Sequence, residues 1–306
     1  MGFKEFIQDD AAVRLGIFLG KTLSLPTGLA TAKWVGKVIA SRRQSNIVRN
    51  IKANQWVVSG GVLDREGLDR RAKEVLVSHA QSLFEYYYYY NRQKQGTKIA
   101  MPTAEMLAVI EGIRSEKKPT IFLTPHVGNL DLLAMGITGY GLRPYVLSYP
   151  KPNEAYKAEN RIRDSLGMEV HPITFTAFRQ AKQALKAGTC IITGIDRAID
   201  TGEQQKYLPK FFGRPAALPV FYIRMALEVG AEVRISYGRR QEDGSYVIEC
   251  SQPINFEKRD NIIEETILNA EKVLSRTEAI IKDKPEKWAM IHPVWPEVFP
   301  LIENLL

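Results

Sequence analysis

The chain has 306 residues, of which 45% are hydrophobic and 25% are charged. This composition supports a sizeable core and excludes both a disordered chain and a polytopic membrane protein. Lys and Arg exceed Asp and Glu by 42 − 34 = 8. That excess favours an anionic partner, such as an acidic membrane surface, a phosphorylated substrate or an acidic carrier protein. The chain lacks a zinc-finger or RNP pattern and a long Lys/Arg run, so no nucleic-acid partner is expected.

The two cysteines and the N-terminal residues indicate whether the protein works in a reducing or an oxidising compartment. Cys190 and Cys250 lie far apart in the sequence, which predicts neither a disulfide framework nor a metal knuckle. Cys190 falls in an apolar run and is expected to be a buried packing residue. The opening residues carry acids where a secretory signal has a basic region. A reducing compartment is therefore expected.

Residues 11–40 are apolar but interrupted by charged residues and a proline. No run reaches the roughly 20 apolar residues that a membrane-spanning helix needs. Two interpretations stay open for this segment. It forms either one or two amphipathic helices at a membrane interface, or a helical hairpin that packs on the core.

The first ~115 residues are predicted to be helical throughout. Asp64 can cap a helix that continues into five consecutive tyrosines at residues 86–90. Five consecutive residues cover every face of a helix. The favoured interpretation places this helix between packed elements, and the alternative places tyrosine rings at a lipid headgroup interface. His79 is predicted to belong to this helix without a catalytic role.

Beyond Pro119, short apolar runs alternate with helical segments. Strands are predicted at 120–124, 144–149, 189–195 and 231–237, and helices near 129–138, 153–166, 175–187, 217–229 and 261–282. This alternation predicts an α/β fold with a mostly parallel central sheet flanked by helices, following the N-terminal helical region. In such sheets ligands bind beyond the carboxyl ends of the strands.

The most informative segment, HVGNLD at residues 126–131, follows the first of these strands directly. His126 suits general-base work near neutral pH, and Asp131 could orient and stabilise its imidazole. Positions five apart do not share a helix face. The two side chains can therefore meet only if His126 lies in a turn, where Gly128 and Asn129 let the chain bend before the helix.

Further candidate residues follow at places where a substrate would be held. Arg163 lies near a helix end, Asp196 and Arg197 follow the strand at 189–195, and His292 lies near the C-terminus between two tryptophans. The loop at 207–216 combines aromatic residues, a glycine and cations, among them Phe212, Gly213 and Arg214. His292 could either close a pocket or pack the C-terminal segment.

Together and in this order, these segments resemble the lysophospholipid acyltransferase superfamily, in particular its bacterial lipid A biosynthesis (lauroyl/myristoyl) branch with the related phosphatidylinositol mannoside acyltransferases. The resemblance spans roughly residues 45–296 and rests on His126-x4-Asp131, Arg163-x3-Gly167, Lys186-x-Gly188, Asp196-Arg197, Phe211-Phe212-Gly213-x-Pro215 and Pro285-x2-Trp288-x3-His292. It implies a glycerol-3-phosphate acyltransferase-like fold. It also implies transfer of a fatty acyl group from acyl-CoA or acyl-ACP to a hydroxyl of a membrane lipid.

The resemblance also implies roles for individual residues. His126 would be the general base and Asp131 its charge partner. Substrate contacts are expected from Asn129, Arg163, Asp196, Arg197, Phe212, Gly213, Arg214 and His292. Because no nucleophile elbow or metal-ligand spacing is evident, we expect direct transfer without an acyl-enzyme, a metal or a resident cofactor.

Two departures from the lipid A branch bear on the acceptor. That branch typically carries Glu where this chain has Asp131, and often His-Arg-Arg where this chain has His292 followed by Pro293 and Val294. Both differences favour a glycolipid or phospholipid acceptor over lipid A. A non-catalytic lipid-binding protein and a thioester or lipid hydrolase remain the alternative functions.

The expected organisation is an N-terminal helical, membrane-associating region at 1–115, an acyltransferase domain at 116–296 and a tail at 297–306. The expected location is the cytoplasmic face of the cell (inner) membrane, with peripheral or monotopic attachment.

Overall fold

The computed structural model describes residues 9–93, 98–199 and 206–306. Its N-terminal part is helical, with α1 Asp10–Thr22, α2 Leu25–Ala40, α3 Asn46–Val58 and α4 Arg65–Tyr90. Asp64 caps α4 as predicted, because its carboxylate accepts a hydrogen bond from the backbone N–H of Gly67 at 2.8 Å.

Strands and helices alternate in the remainder of the chain. In order they are β1 Ala100–Pro102, α5 Ala104–Glu116, β2 Thr120–Thr124, α6 Leu130–Gly139, β3 Tyr145–Ser148, α7 Glu154–Ser165, β4 Glu169–Pro172, α8 Phe175–Lys186, β5 Ile191–Gly194, β6 Lys210–Phe211, β7 Arg214–Pro215, α9 Phe221–Val229, β8 Glu232–Arg240, β9 Tyr246–Cys250 and α10 Ile262–Asp283. Short 3₁₀ segments follow at Pro285–Lys287 and Pro296–Leu305. The predicted strands and helices are all present, with boundaries shifted by a few residues.

The seven-stranded sheet has the order β1-β9-β8-β2-β5-β3-β4, and β6 and β7 form a separate two-stranded hairpin. From β8 to β4 all neighbouring strands are parallel, whereas β9 runs antiparallel to β8 and β1 runs parallel to β9. The prediction of a mostly parallel α/β sheet is confirmed. The carboxyl ends of β2, β5, β3 and β4 therefore share one edge.

Helices cover both faces of the sheet. One hydrophobic cluster joins α4, α5 and α6 to one face, and a second joins α8, α9 and α10 to the other. Burial on both faces explains why the central strands contain consecutive apolar residues, at 121–123 in β2 and at 191–192 in β5. Cys190 and Cys250 are both buried and unpaired, and burial raises the pKa of Cys190 to about 12.

The sequence prediction missed three strands of the large sheet. β1 has only three residues, and it corrects the prediction that the first ~115 residues are entirely helical. β4 reads Glu-Val-His-Pro and lies at the edge of the sheet, where partial exposure removes the apolar signal. β9 alternates buried and partly buried residues, as expected for an antiparallel strand near the other edge.

Residues 11–40 form two helices, α1 and α2, that pack on α4 through glycines. A Cβ on Gly28 would lie 1.7 Å from the ring of Phe84, and one on Gly36 would lie 2.7 Å from the Cα of Val77. Only glycine permits this approach. Along the part of the chain that the structure describes, none of the helices is both long enough and apolar enough to cross a bilayer.

The tyrosine run lies at the C-terminal end of α4. Tyr86, Tyr87 and Tyr89 are buried, and Tyr88 and Tyr90 are partly buried against the same hydrophobic cluster. The favoured interpretation, a helix between packed elements, is confirmed. The tyrosines belong to the same hydrophobic cluster as Val13 of α1 and Phe122 of β2, so they connect the N-terminal helices to one face of the sheet.

Candidate active site

The site lies where the carboxyl ends of β2 and β5 meet. These strands are parallel neighbours, with Thr124 opposite Gly194. His126 and Asp196 each follow their strand by two residues, so the sheet brings them together although 70 residues separate them. This is the edge at which an α/β sheet is expected to bind its ligand.

His126 and Asp196 form a closely bonded pair. The Nδ1 atom of His126 lies 2.6 Å from Asp196 Oδ1, and the backbone N–H of His126 donates to Asp196 Oδ2 at 2.7 Å. A proton on Nδ1 completes the first bond and leaves the Nε2 lone pair available as a base. Asp196 is fully buried, whereas the His126 side chain is 36% exposed. The geometry is that of a general base with its orienting carboxylate.

The charge state of Asp196 follows from its surroundings. Burial alone would raise the pKa of this carboxyl, but the charge and hydrogen bonds of His126 and the indole of Trp288 outweigh burial. The pKa of Asp196 therefore lies below its ordinary value. An ionised Asp196 can stabilise the imidazolium that forms when His126 accepts a proton.

Asp131 has a different partner from the one predicted. Its Oδ1 atom accepts a hydrogen bond from Arg163 Nε at 2.7 Å, and Arg163 Nη1 donates to Asn160 Oδ1 at 2.6 Å. The expected pairing of His126 with Asp131 is corrected: Asp196 binds the imidazole, and Asp131 pairs with a cation. Asp131 lines the same cavity as His126, whereas Asp196 lies buried outside the cavity lining.

Glu159 completes the charged group around Arg163. Its Oε2 atom lies 3.9 Å from Arg163 Nη2, and its Oε1 atom accepts a hydrogen bond from the Tyr87 hydroxyl at 3.4 Å. Burial raises the pKa of Glu159 to about 7, although the charge of Arg163 opposes the shift. The tyrosine run thus reaches the acidic residue next to the Asp131–Arg163 pair.

A cavity of about 140 Å³ opens beside His126. Its polar end is formed by His126, Asp131, Arg163, Arg197, Tyr149 and Tyr156. The rest of the lining is largely apolar and includes Phe122, Leu133, Ile137, Val146, Met168 and Ile192. Phe122, Ile192 and Val146 occupy one row across β2, β5 and β3, so a single face of the sheet supplies much of the apolar wall.

Arg197 lies at this polar end of the cavity. Its guanidinium lies 3.6 Å from the centroid of the Tyr149 ring and 6.0 Å from that of Tyr156. Burial lowers the pKa of Arg197 from its usual value, although the guanidinium remains a cation at any physiological pH. Stacking on tyrosine fixes the plane in which its N–H groups can donate.

Six of the eight predicted substrate residues do not line this cavity, namely Asn129, Asp196, Phe212, Gly213, Arg214 and His292. Asn129 caps α6 by accepting from the N–H of Leu132, and it donates to the carbonyl of Ser82 in α4. Phe212, Gly213 and Arg214 lie in the β6–β7 hairpin, where Phe212 packs beside Trp288. Phe212 thus packs against the hydrophobic cluster that contains Trp288 and Trp295.

Two further histidines lie close enough to His126 for their charges to interact. Burial lowers the pKa of His292 to about 4, with further contributions from Arg197 and His126. Burial likewise lowers the pKa of His79 to about 4, helped by His126 and opposed by Asp131. Neither histidine lines the cavity. The sequence prediction gave His79 no catalytic role and left open whether His292 closes a pocket or packs the C-terminus.

Sequence reasoning missed several residues of this site, among them Tyr149 and Tyr156 in the cavity lining and Trp288 beside Asp196. Trp288 donates from its indole nitrogen to Asp196 Oδ2 at 2.7 Å. It lies 92 residues from its partner, and nothing local marks it as more than a packing aromatic. The only signal was its presence in the C-terminal motif that contains His292.

A parallel α/β sheet with a histidine–carboxylate pair at its carboxyl edge, beside a largely apolar cavity, is suited to general-base catalysis on a substrate that carries an apolar group. The family model for bacterial lipid A biosynthesis acyltransferase matches residues 17–297. The chain belongs to this family, and it is an acyltransferase of lipid biosynthesis. A comparison with curated proteins gave no match.

Proposed function

We propose that the protein transfers a fatty acyl group from an acyl thioester, acyl-CoA or acyl-ACP, to a hydroxyl of a glycolipid or phospholipid. The observation that carries this proposal is the His126–Asp196 pair at the mouth of an apolar cavity. An alcohol is a poor nucleophile at neutral pH, and a positioned base contributes roughly 10²–10⁴-fold to its attack.

The reaction is a direct transfer. The acceptor oxygen attacks the thioester carbonyl carbon while His126 Nε2 takes the hydroxyl proton. The tetrahedral intermediate collapses with cleavage of the C–S bond, and the imidazolium returns its proton to the leaving sulfur. Asp196 holds the ring in the required tautomer throughout. No acyl-enzyme forms, and the thioester is a co-substrate rather than a cofactor.

The oxyanion that develops on the thioester carbonyl in the tetrahedral intermediate needs hydrogen-bond donors. The N-terminus of α6, which begins at Leu130 four residues after His126, presents backbone N–H groups and the positive end of its dipole. Arg197, stacked on Tyr149, is the cation that we assign to a phosphate of the lipid or of coenzyme A. Asp131 and Arg163 add a charged pair to the lining of the cavity that contains the base.

The apolar interior of the cavity would hold the acyl chain. Its wall consists of Phe122, Ile192 and Val146 from the sheet and Leu133 and Ile137 from α6. An acyl group lying there places its thioester at the polar end, where His126 and Arg197 lie. The depth of the cavity would set the preferred length of the acyl chain.

We also propose that α1 and α2 dock on an anionic membrane at the cytoplasmic face. Leu15, Phe18, Trp34 and Val35 are exposed on these helices, with Phe18 59% and Trp34 64% exposed. Lys and Arg side chains occur beside them. Exposed aromatics together with cations are typical of interfacial helices, and docking would bring the lipid acceptor to the site.

The acceptor is a glycolipid or phospholipid rather than lipid A. This part of the proposal rests on Asp131 in place of the Glu of the lipid A branch, and on Pro293 and Val294 after His292. Carboxylate length next to Arg163 changes the space beside the base, so it could distinguish acceptors.

The test is incubation of the purified protein with acyl-CoA or acyl-ACP of mixed chain lengths and a total lipid extract, with mass spectrometry of the products. A new acylated glycolipid or phospholipid supports the proposal, and acylated lipid A as the only product would reassign the acceptor. His126→Ala should abolish transfer. His171→Ala is the matched control, because His171 stacks on Tyr145 and does not line the cavity.

Product analysis also separates the two alternatives. Release of free fatty acid without acceptor acylation would make the protein a hydrolase in which His126 activates water. Salt-sensitive binding to anionic vesicles without turnover of any thioester would make it a lipid-binding protein. Transfer that survives in His126→Ala would exclude His126 as the base.

A further inference from the structure

We propose that Trp288 is a positioning residue for the acyl transfer, and that its indole N–H fixes Asp196 and thereby His126. This inference rests on the proposed function. The indole contacts neither the cavity nor His126 Nε2, so its effect must pass through the carboxylate.

The contacts of Asp196 carry the argument. Its Oδ1 atom is bound to His126 Nδ1, and its Oδ2 atom accepts two hydrogen bonds of 2.7 Å, from His126 N and from Trp288 Nε1. Asp196 is fully buried and Trp288 is 1% exposed, so bulk water cannot replace a missing donor. Without the indole, Oδ2 keeps a single donor, and the carboxylate loses the bond that fixes its plane.

The backbone of the same segment fixes the His126 turn independently. Gly128 N–H donates to the Lys287 carbonyl at 3.1 Å, and Ala289 N–H donates to the His126 carbonyl at 2.8 Å. Val127 and Trp288 form an isolated antiparallel bridge between these bonds. The segment at 287–289 therefore holds His126 by its main chain and Asp196 by one side chain.

The indole is itself held in place by an aromatic cluster formed by Phe211, Phe212, Trp288 and Trp295. The ring centroid of Trp288 lies 6.1 Å from Phe211, 6.3 Å from Phe212 and 6.3 Å from Trp295. This cluster belongs to the core formed by the β6–β7 hairpin and the C-terminal segment. Within this cluster only Trp288 donates a hydrogen bond to Asp196 among the residues that the structure describes.

The chain offers a matched pair of substitutions. Trp288 and Trp295 are both 1% exposed and belong to the same aromatic cluster, but Trp295 Nε1 has no hydrogen-bond partner among the residues that the structure describes. Trp288→Phe and Trp295→Phe remove similar volume from one cluster. Only the first removes a donor to Asp196.

We expect Trp288→Phe to lower kcat about tenfold or more, since a hydrogen bond to a buried charge is lost. KM for thioester and lipid should stay within about twofold, because no substrate contact changes. Trp295→Phe should keep kcat within about twofold of the wild type even where its melting temperature falls equally. Equal kcat values in the two variants would overturn the inference.

A second experiment does not depend on the folding of Trp288→Phe. Replacing Trp288 with 3-benzothienylalanine exchanges the indole N–H for sulfur at nearly constant ring shape, and kcat should fall by a similar factor. In ¹⁵N-indole NMR spectra of the full chain, Asp196→Asn should shift the Trp288 signal and leave that of Trp295. A wild-type kcat in the sulfur analogue would overturn the inference.

These experiments distinguish failure of the positioning role of Trp288 from failure of the proposed acyl transfer. Transfer by the wild-type protein together with an unchanged kcat in both Trp288 variants leaves the proposed function standing and removes the positioning role. Absence of transfer by the wild type with every donor and acceptor removes both.

Discussion

Arg163 holds the carboxylate of Asp131 at 2.7 Å, so the acidic residue five positions after His126 already has a cation as its partner. The imidazole has a separate carboxylate, Asp196, supplied by the neighbouring strand β5. The two acidic residues therefore occupy different environments, and their substitution should have different consequences.

Asp196→Asn should lower kcat by about 10²–10⁴-fold with the fold retained. The amide can offer its NH₂ group to His126 Nδ1, which would move the ring proton to Nε2 and remove the base. The measurement is steady-state acyl transfer together with thermal unfolding of both proteins. A kcat near that of the wild type would show that Asp196 does not orient the base.

The pairing of Asp131 with Arg163 predicts coupling between substitutions. Asp131→Asn and Arg163→Met should each destabilise the protein by about 1–3 kcal/mol, because each leaves a largely buried partner without its counter-charge. The double variant should lose less than the sum, with a coupling of about 0.5–3 kcal/mol. Urea unfolding of the four proteins measures this quantity, and additive losses would contradict the pairing.

The central strands and most helices could be predicted because they give strong periodic signals. β2 and β5 are buried on both faces and read as apolar runs, and the helix after Asp64 has a capping residue. β1 and β4 could not be found, since three or four residues at a sheet edge carry almost no pattern. Their place depends on pairing with strands far along the chain.

The side chains of the candidate site pair differently in the structure from the pairing that the sequence suggested. His126 and Asp196 were both selected, but the spacing to Asp131 suggested the wrong partner for the imidazole. The correct pairing depends on β5 lying beside β2, although β3 and β4 come between them in the sequence. Strand order of this kind is set by packing across the whole sheet, and Trp288 reaches Asp196 for the same reason.

Stability should depend on pH through His79. Burial lowers the pKa of His79 to about 4, whereas the unfolded chain titrates near 6.5. Between these values the unfolded state binds more protons, so stability falls as the pH decreases through this range. His79→Gln should reduce that slope by up to about 1.4 kcal/mol per pH unit in urea unfolding between pH 4.5 and 7. An unchanged slope would show that His79 is not held neutral.

Membrane docking through α1 and α2 predicts a loss of vesicle binding. Phe18→Ser and Trp34→Ser should each weaken sedimentation with phosphatidylglycerol-containing vesicles about tenfold, because each removes an apolar side chain from the interface. Val62→Ser is the matched control, because Val62 is 80% exposed in the turn between α3 and α4. Equal losses from all three substitutions would argue against docking by these two helices.

The cavity predicts how acyl chain length can be changed. Ala134 lines the cavity one helical turn after Asp131 on α6, so Ala134→Phe would fill the apolar interior without touching His126 or Asp196. We expect the preferred acyl chain to shorten, while Met168→Ala, which opens the same cavity, should allow longer chains. Competition between acyl thioesters of mixed length, followed by mass spectrometry, measures both profiles. If Ala134→Phe lowered transfer equally for every chain length, the acyl chain would have to lie elsewhere, because a filled pocket discriminates against long chains first.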